Sequence, residues 1–223
     1  TLYEYNTCHI PALNKVFQEF AIHYAVEIKV LEKTYSEARA LVKTQTNGTA
    51  ACHSRLLYFQ RTSELLGFGS QTSLSLQLEQ IYWRTYFSMM EIDHGASQFI
   101  EYLRCSGIKL GIVTDLTSQV QFRKLQFLRI VDKFDFVVTS EETGSEKRTG
   151  APYELASKKF GLGSSDVVWM IGDSVVDAVP AKDAINAVTL HFHKFLATPI
   201  EEPSDIVFKD FSKLQHFCEE NLI

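Results

Sequence analysis

Cysteine is scarce in this chain and poorly spaced for a structural role. The four residues, Cys8, Cys52, Cys105 and Cys218, stand far apart, with no CxxC pair and no disulfide-dense framework. They read as reduced thiols of a cytoplasmic protein, which excludes a small secreted domain stapled by disulfides. Long apolar runs are missing too. None approaches the ~18 residues that span a bilayer, and no basic-then-apolar leader precedes the fold, so no membrane partner is expected. In a cytoplasmic protein the Asn47-Gly48-Thr49 sequon is a turn and nothing more. Basic charge is not in excess either: the net charge is −5, the pI is near 5.8, and Lys and Arg are scattered. Nucleic acid is therefore not an expected partner. Internal repeats and low-complexity segments are absent.

What is present divides the chain in two. A length of 223 residues allows one large domain, or a core domain carrying a smaller inserted one. From about Pro11 to Met90 the pattern is helical, with helices expected at about 11–25, 27–43, 52–66 and 74–89, separated by the breakers in TNGTA and GFGSQ. In the last of these, Leu74, Leu78, Ile81, Tyr82, Tyr86 and Met89 recur at three-to-four spacing and share a face. Four helices of this length make a small bundle.

From about Asp93 the texture changes to helices alternating with short runs rich in Val and Ile. The runs are IKLGIVT (108–114), FDFVVTS (134–140), DVVWMIG (166–172) and AVTLHF (187–192), with DIVF (205–208) a weaker fifth. Helices are expected at about 95–106, 117–128, 152–160, 178–185 and 211–221. Strands apolar on both faces that alternate with helices predict a parallel sheet covered on two sides, an α/β class.

In such sheets ligands bind beyond the carboxyl ends of the strands. The first run ends in Thr114-Asp115, the third in Gly172-Asp173-Ser174 followed by Asp177, and the loop after the second carries Glu146-Lys147. Each has a plainer reading alone. Thr114-Asp115 suits a turn or helix cap, Lys147 a solvated loop, and Asp177 a cap for the helix whose first turn holds Pro180. Asp173 is harder to dismiss, because a carboxylate at the exit of a buried strand is rewarded only by a ligand or cation. His191 and His193 share a strand face, and without a third ligand they read as structural. GLGSS (161–165) and GFGS (67–70) lack the spacing and lysine of a nucleotide loop and read as turns.

Taken together, LGIVTDLT, SEETGSEK followed by PYELASKKFG, and MIGDSVVDAVPAKDA resemble the second, third and fourth motifs of the haloacid dehalogenase superfamily, whose members are mostly Mg-dependent phosphatases. Thr1-Leu2-Tyr3 is similar to the tail of its first motif, a strand ending in DxDGT or DxDDT. The resemblance implies a Rossmann-like parallel sheet formed by residues 1–10 and 91–223, with residues 11–90 as an inserted four-helix cap that closes over the substrate. It implies that Thr114 bonds a phosphate oxygen, with Asp115 beside it at the substrate. Lys147 offsets the charge of nucleophile and phosphoryl group, Asp173 holds Mg2+, and Asp177 binds the metal through water or orients Asp173. In the helical segment, His53 and Arg55 are candidates to point at the substrate, against a plainer surface or packing role. The substrate implied is a small phosphorylated metabolite, a sugar phosphate or nucleoside monophosphate, attacked through an aspartyl-phosphate.

Three departures accompany the match. The family's two aspartates would lie four and two residues before Thr1, so they are not among residues 1–223. The strand bearing them is expected in mid-sheet between the 108–114 and 167–172 strands, and a clipped sequence is the simplest expectation. The lysine is usually followed by Pro-x-Pro, whereas here Arg148-Thr149-Gly150 follow, which suggests a looser loop or a competing role for Arg148. Finally, Ile185 stands where a glycine often ends the helix after the fourth motif. The rival expectations are a phosphate-binding or regulatory homologue without catalysis, a phosphomutase and a haloacid dehalogenase.

Overall fold

The computed structural model describes residues 1–193 and 204–221. The chain forms two compact units, one of Tyr5–Met90 and one of Thr1–Glu4 with Glu91–Ile223.

The first unit is all helical: α1 (Tyr5–Tyr24), α2 (Ile28–Gln45), α3 (Arg55–Leu65) and α4 (Thr72–Ser88), with a 3-10 turn at Ala50–His53. Pairs α1 and α4, α2 and α3, and α3 and α4 pack together. Local chemistry explains the breaks. Ser54 caps α3 by accepting from the Leu57 amide at 3.3 Å, and Gly67 and Gly69 take positive φ between α3 and α4. Leu74, Leu78, Ile81, Tyr82 and Tyr86 are buried as their spacing predicts, but Met89 is exposed and Met90 is buried in its stead. The reason is that α4 ends at Ser88, so the helical period no longer sets the direction of residue 89. Helix α1 starts six residues before Pro11 and runs through it, because its first turns bury Cys8 and Ala12 completely.

The second unit carries α5 (His94–Cys105), β1 (Gly111–Thr114), α6 (Ser118–Phe127), β2 (Phe136–Thr139), a one-turn α7 (Ser140–Thr143) and α8 (Ala151–Phe160). It continues with β3 (Trp169–Gly172), α9 (Ala178–Ile185), β4 (Val188–Phe192), β5 (Ile206–Phe208) and α10 (Phe211–Asn221). All strand pairs are parallel. β1 pairs with β2, Thr114 opposite Thr139, and β3–β4–β5 form a separate sheet with Gly172 opposite His191. Among the described residues no ladder joins β1 to β3. Both strands are accordingly half-buried rather than buried as their composition predicts, since each is an edge strand. The two sheets still share apolar clusters: Leu110, Trp169 and Ile171 pack against one that includes Leu103 and Leu190, and Val113 and Met170 against one of Tyr153, Ala181 and Ala187.

Helix α9 is closed by Asn186, which takes the left-handed conformation (φ 49°, ψ 40°) and donates to Lys182 O at 2.9 Å. The stop expected of a glycine at 185 thus falls one residue later, on a residue type that tolerates it. His191 and His193 are both buried on and just after β4, and no third metal-capable side chain gathers with them among the described residues. The four cysteines are free thiols, three of them buried. Among the described residues, no helix is long and apolar enough to cross a membrane.

Asp205 fastens the entry to β5. Its Oδ1 accepts from Lys182 Nζ at 2.7 Å, and its Oδ2 accepts from the Thr189 amide at 2.8 Å and hydroxyl at 2.9 Å. The lysine bond, then the Thr189 donors, pull its pKa down to about 2. A depressed folded-state value means stability that is present above the ordinary carboxyl range and lost as pH falls through about 2. The gap in urea midpoint between wild type and Asp205→Asn should therefore shrink steadily as pH is lowered from about 4 to about 2. A gap that stays constant over that range would show that the carboxylate charge contributes nothing.

Candidate active site at the strand ends

Three of the expected site residues meet in one cluster. Asp115, directly after β1, accepts the Lys147 backbone N–H on Oδ1 at 2.7 Å, and its Oδ2 lies 4.0 Å from Lys147 Nζ. The same ammonium donates to Asp177 Oδ2. Lys147 and Asp177 are 18% and 14% exposed, so this is a partly buried pair and not a solvated surface contact. Asp177 occupies the N-cap position of α9 yet makes no side-chain capping bond. Its carboxylate is committed to the lysine instead, which removes the plain capping reading.

The electrostatics follow from this crowding. Burial pushes the Asp115 carboxyl above its ordinary value; the Lys147 ammonium and amide pull it back, and the charges of Asp177 and Glu146 push it up again. Tyr153 on α8 lies under the same carboxylates, so burial and then Asp177 and Asp115 hold its hydroxyl well above the usual range. Tyr153 lies within the matched stretch PYELASKKFG, but nothing in its spacing marks it as a neighbour of the cluster.

Thr114 and Asp173 end their own strands. The Gln121 side-chain amide of α6 donates to Thr114 Oγ1, which leaves the hydroxyl proton to be donated elsewhere. Asp173 follows Gly172 and is 52% exposed. Its Oδ1 accepts from the Thr1 hydroxyl at 2.5 Å. Contact between residues 1 and 173 is a tertiary fact that no local pattern announces. Leu2 anchors the segment, its carbonyl accepting from the Asp93 amide at 2.8 Å.

Arg148, the other cation of the loop, has its Nε 3.3 Å from Glu146 Oε2. Arg55 and His53 belong to the helical unit. Arg55 donates to the Tyr5 hydroxyl at 3.0 Å and to the His53 carbonyl at 3.1 Å, with its guanidinium 5.3 and 5.2 Å from the rings of Tyr58 and Tyr82. Beside it, burial and then the charges of Arg55 and Arg39 bring His9 down to about 4, so its imidazole is neutral at pH 7.

A family model described as "Haloacid dehalogenase-like hydrolase" matches residues 1–190. The chain is 31% identical over 211 residues to the ribulose-1,5-bisphosphate 5-phosphatase of Halopiger xanaduensis, covering 92% of this chain and 86% of the relative. It is 39% identical over 82 residues to the glyceraldehyde 3-phosphate phosphatase of Methanocaldococcus jannaschii, 36% of each chain. The crystal structure of a HAD phosphatase from Thermococcus onnurineus superposes with a TM-score of 0.72 at 19% identity, covering 97% of this chain and 93% of that one.

Proposed function

We propose, from the premise that this chain belongs to the haloacid dehalogenase-like hydrolase family, that it serves the hydrolysis of a phosphoric monoester on a small phosphorylated sugar. The observation that carries this reading is the cluster in which one lysine ammonium is held between Asp115 and Asp177 at the strand ends. The named activities of the two relatives given above, on ribulose-1,5-bisphosphate and glyceraldehyde 3-phosphate, favour a sugar phosphate over a nucleoside monophosphate.

A phosphate ester resists water because an anionic nucleophile must approach an anionic phosphorus, so catalysis is mostly positioning and charge neutralisation. Thr114, its oxygen already accepting from Gln121, donates its proton to a non-bridging phosphate oxygen. Lys147 offsets the charge gathered on the phosphoryl group. The donor set suits Mg2+: Asp173 is a half-exposed carboxylate at a strand end, the hard oxygen ligand that this cation takes along with several waters. Asp173 would hold the ion directly and Asp177 through water. When bound, Mg2+ supplies neutralisation of phosphate charge. The helical unit, Tyr5–Met90, acts as the cap that selects the substrate, and Arg55 and His53 are its candidate selecting residues.

The test is a Mg2+-dependent phosphatase screen over sugar phosphates. It is run on residues 1–223 and on a version with a DxD-ending strand placed ahead of Thr1. Hydrolysis by either version supports the reading, and hydrolysis by neither overturns it in favour of a binding module. In the active version, Asp173→Asn should lower activity about a hundredfold, since a metal's charge stabilisation is worth several kcal/mol, and should raise the Mg2+ needed for half-activation. Unchanged Mg2+ dependence would remove Asp173 as the ligand.

A further inference from the structure

The segment after Lys147, Arg148-Thr149-Gly150, has no proline to stiffen it, and yet the lysine is held in one place. Its internal bonds are local. A 3-10 turn, Lys147–Thr149, is closed by the Gly150 amide on Lys147 O at 2.9 Å, Gly150 itself taking φ 82°. The Thr149 hydroxyl bonds Glu146 O at 2.9 Å, and Arg148 folds back on Glu146. These contacts shape the turn but do not fix where it sits. The bonds that tie Lys147 to distant parts of the unit go to Asp115, 32 residues away, and to Asp177, 30 residues away.

We propose that Asp115 is a positioning residue, whose carboxylate fixes both the main chain and the ammonium of Lys147 at the end of β1. The proposal rests on the phosphatase reading of the cluster and deepens it. The two oxygens act on different groups, Oδ1 taking the amide at 2.7 Å and Oδ2 facing Nζ at 4.0 Å, so one side chain sets the loop's position and the lysine's direction. An ionised carboxylate has no proton to give a phosphate oxygen and would repel it, so direct contact with substrate suits Asp115 poorly. A carboxylate accepting from a backbone N–H is among the stronger hydrogen bonds, strong enough to anchor a short loop.

The test uses the whole chain and two readouts, competitive acetylation of lysine amines followed by mass spectrometry and binding of inorganic phosphate. In Asp115→Ala the Lys147 amine should label about tenfold faster relative to the other lysines, and phosphate affinity should fall, as expected for loss of a charged hydrogen bond. Asp115→Asn keeps an acceptor oxygen for the amide and should stay within about threefold of wild type in labelling. Equal labelling in Asp115→Ala and wild type overturns the proposal. So does a phosphate affinity that changes while Lys147 labelling does not, which would assign Asp115 to the ligand. Independently of any variant, the wild-type Lys147 amide should exchange its hydrogen slowly, and exchange at open-loop rates overturns the proposal as well. Absence of phosphate binding in wild type would tell against the phosphatase reading, while the labelling and exchange results would still decide the role of Asp115.

Discussion

Lys147→Met is expected to lower kcat/KM for phosphomonoester hydrolysis by about 10² to 10³ in the active version of the chain, the usual effect of removing one preorganised positive group from a phosphoryl site. The substitution removes the side chain that bonds Asp177 and faces Asp115, and leaves their two partly buried carboxylates without its charge between them. Some destabilisation follows, on the order of 1 to 3 kcal/mol for the uncompensated acceptors. Against a total of about 5 to 15 kcal/mol, the chain still folds. Lys147→Arg separates the two effects: it keeps the charge and most of the stability, but its planar fork replaces a point charge, so activity should recover only in part. Steady-state kinetics beside urea melts of the three proteins decide the matter. A methionine variant within threefold of wild type would remove Lys147 from the chemistry.

The second large effect is one of stability. Tyr82→Ala should cost about 3 to 5 kcal/mol, the range for deleting a buried aromatic side chain. Tyr82 is fully buried in the helical unit, its ring 5.0 to 6.1 Å from those of Trp83, Tyr86 and Phe59 and under the Arg55 guanidinium. Its hydroxyl also bonds His9 Nδ1 at 2.7 Å. Tyr82→Phe keeps the ring and loses the hydroxyl's bonds to His9 and Arg55, so it should cost about 1 to 3 kcal/mol. Urea unfolding followed by fluorescence reads both. Equal costs for the two variants would mean that the hydroxyl, and not the ring packing, carries the contribution.

The element pattern was open to reading because it depends on neighbours along the chain. Apolar runs of four to seven residues marked all five strands, and the spacing of Leu74, Leu78, Ile81, Tyr82 and Tyr86 marked the buried face of α4. The errors fell where tertiary burial overrode a local cue, as at Pro11, or where a helix ended one residue before its pattern did, as at Met89. At the candidate site, Thr114 and Asp173 could be placed from the sequence because they follow directly from the strand pattern, while Lys147 and Asp177 were marked by the resemblance of their loops. Their partners were not legible. Gln121 on Thr114 and Thr1 on Asp173 are contacts made through space by side chains that carry no signature of their own.

The sequence by itself determined the α/β class of the second unit, the helical character of residues 11–90 and the identity of the groups at the strand ends, because periodicity and strand termini are local properties. Only the tertiary structure decided that Asp177 serves Lys147 instead of capping α9, that Arg148 turns back to Glu146, and that Asp115 receives the Lys147 amide. A carboxylate has several donors within reach of its loop. Which one it takes depends on where two segments some 30 residues apart are brought by packing, and no local rule fixes that.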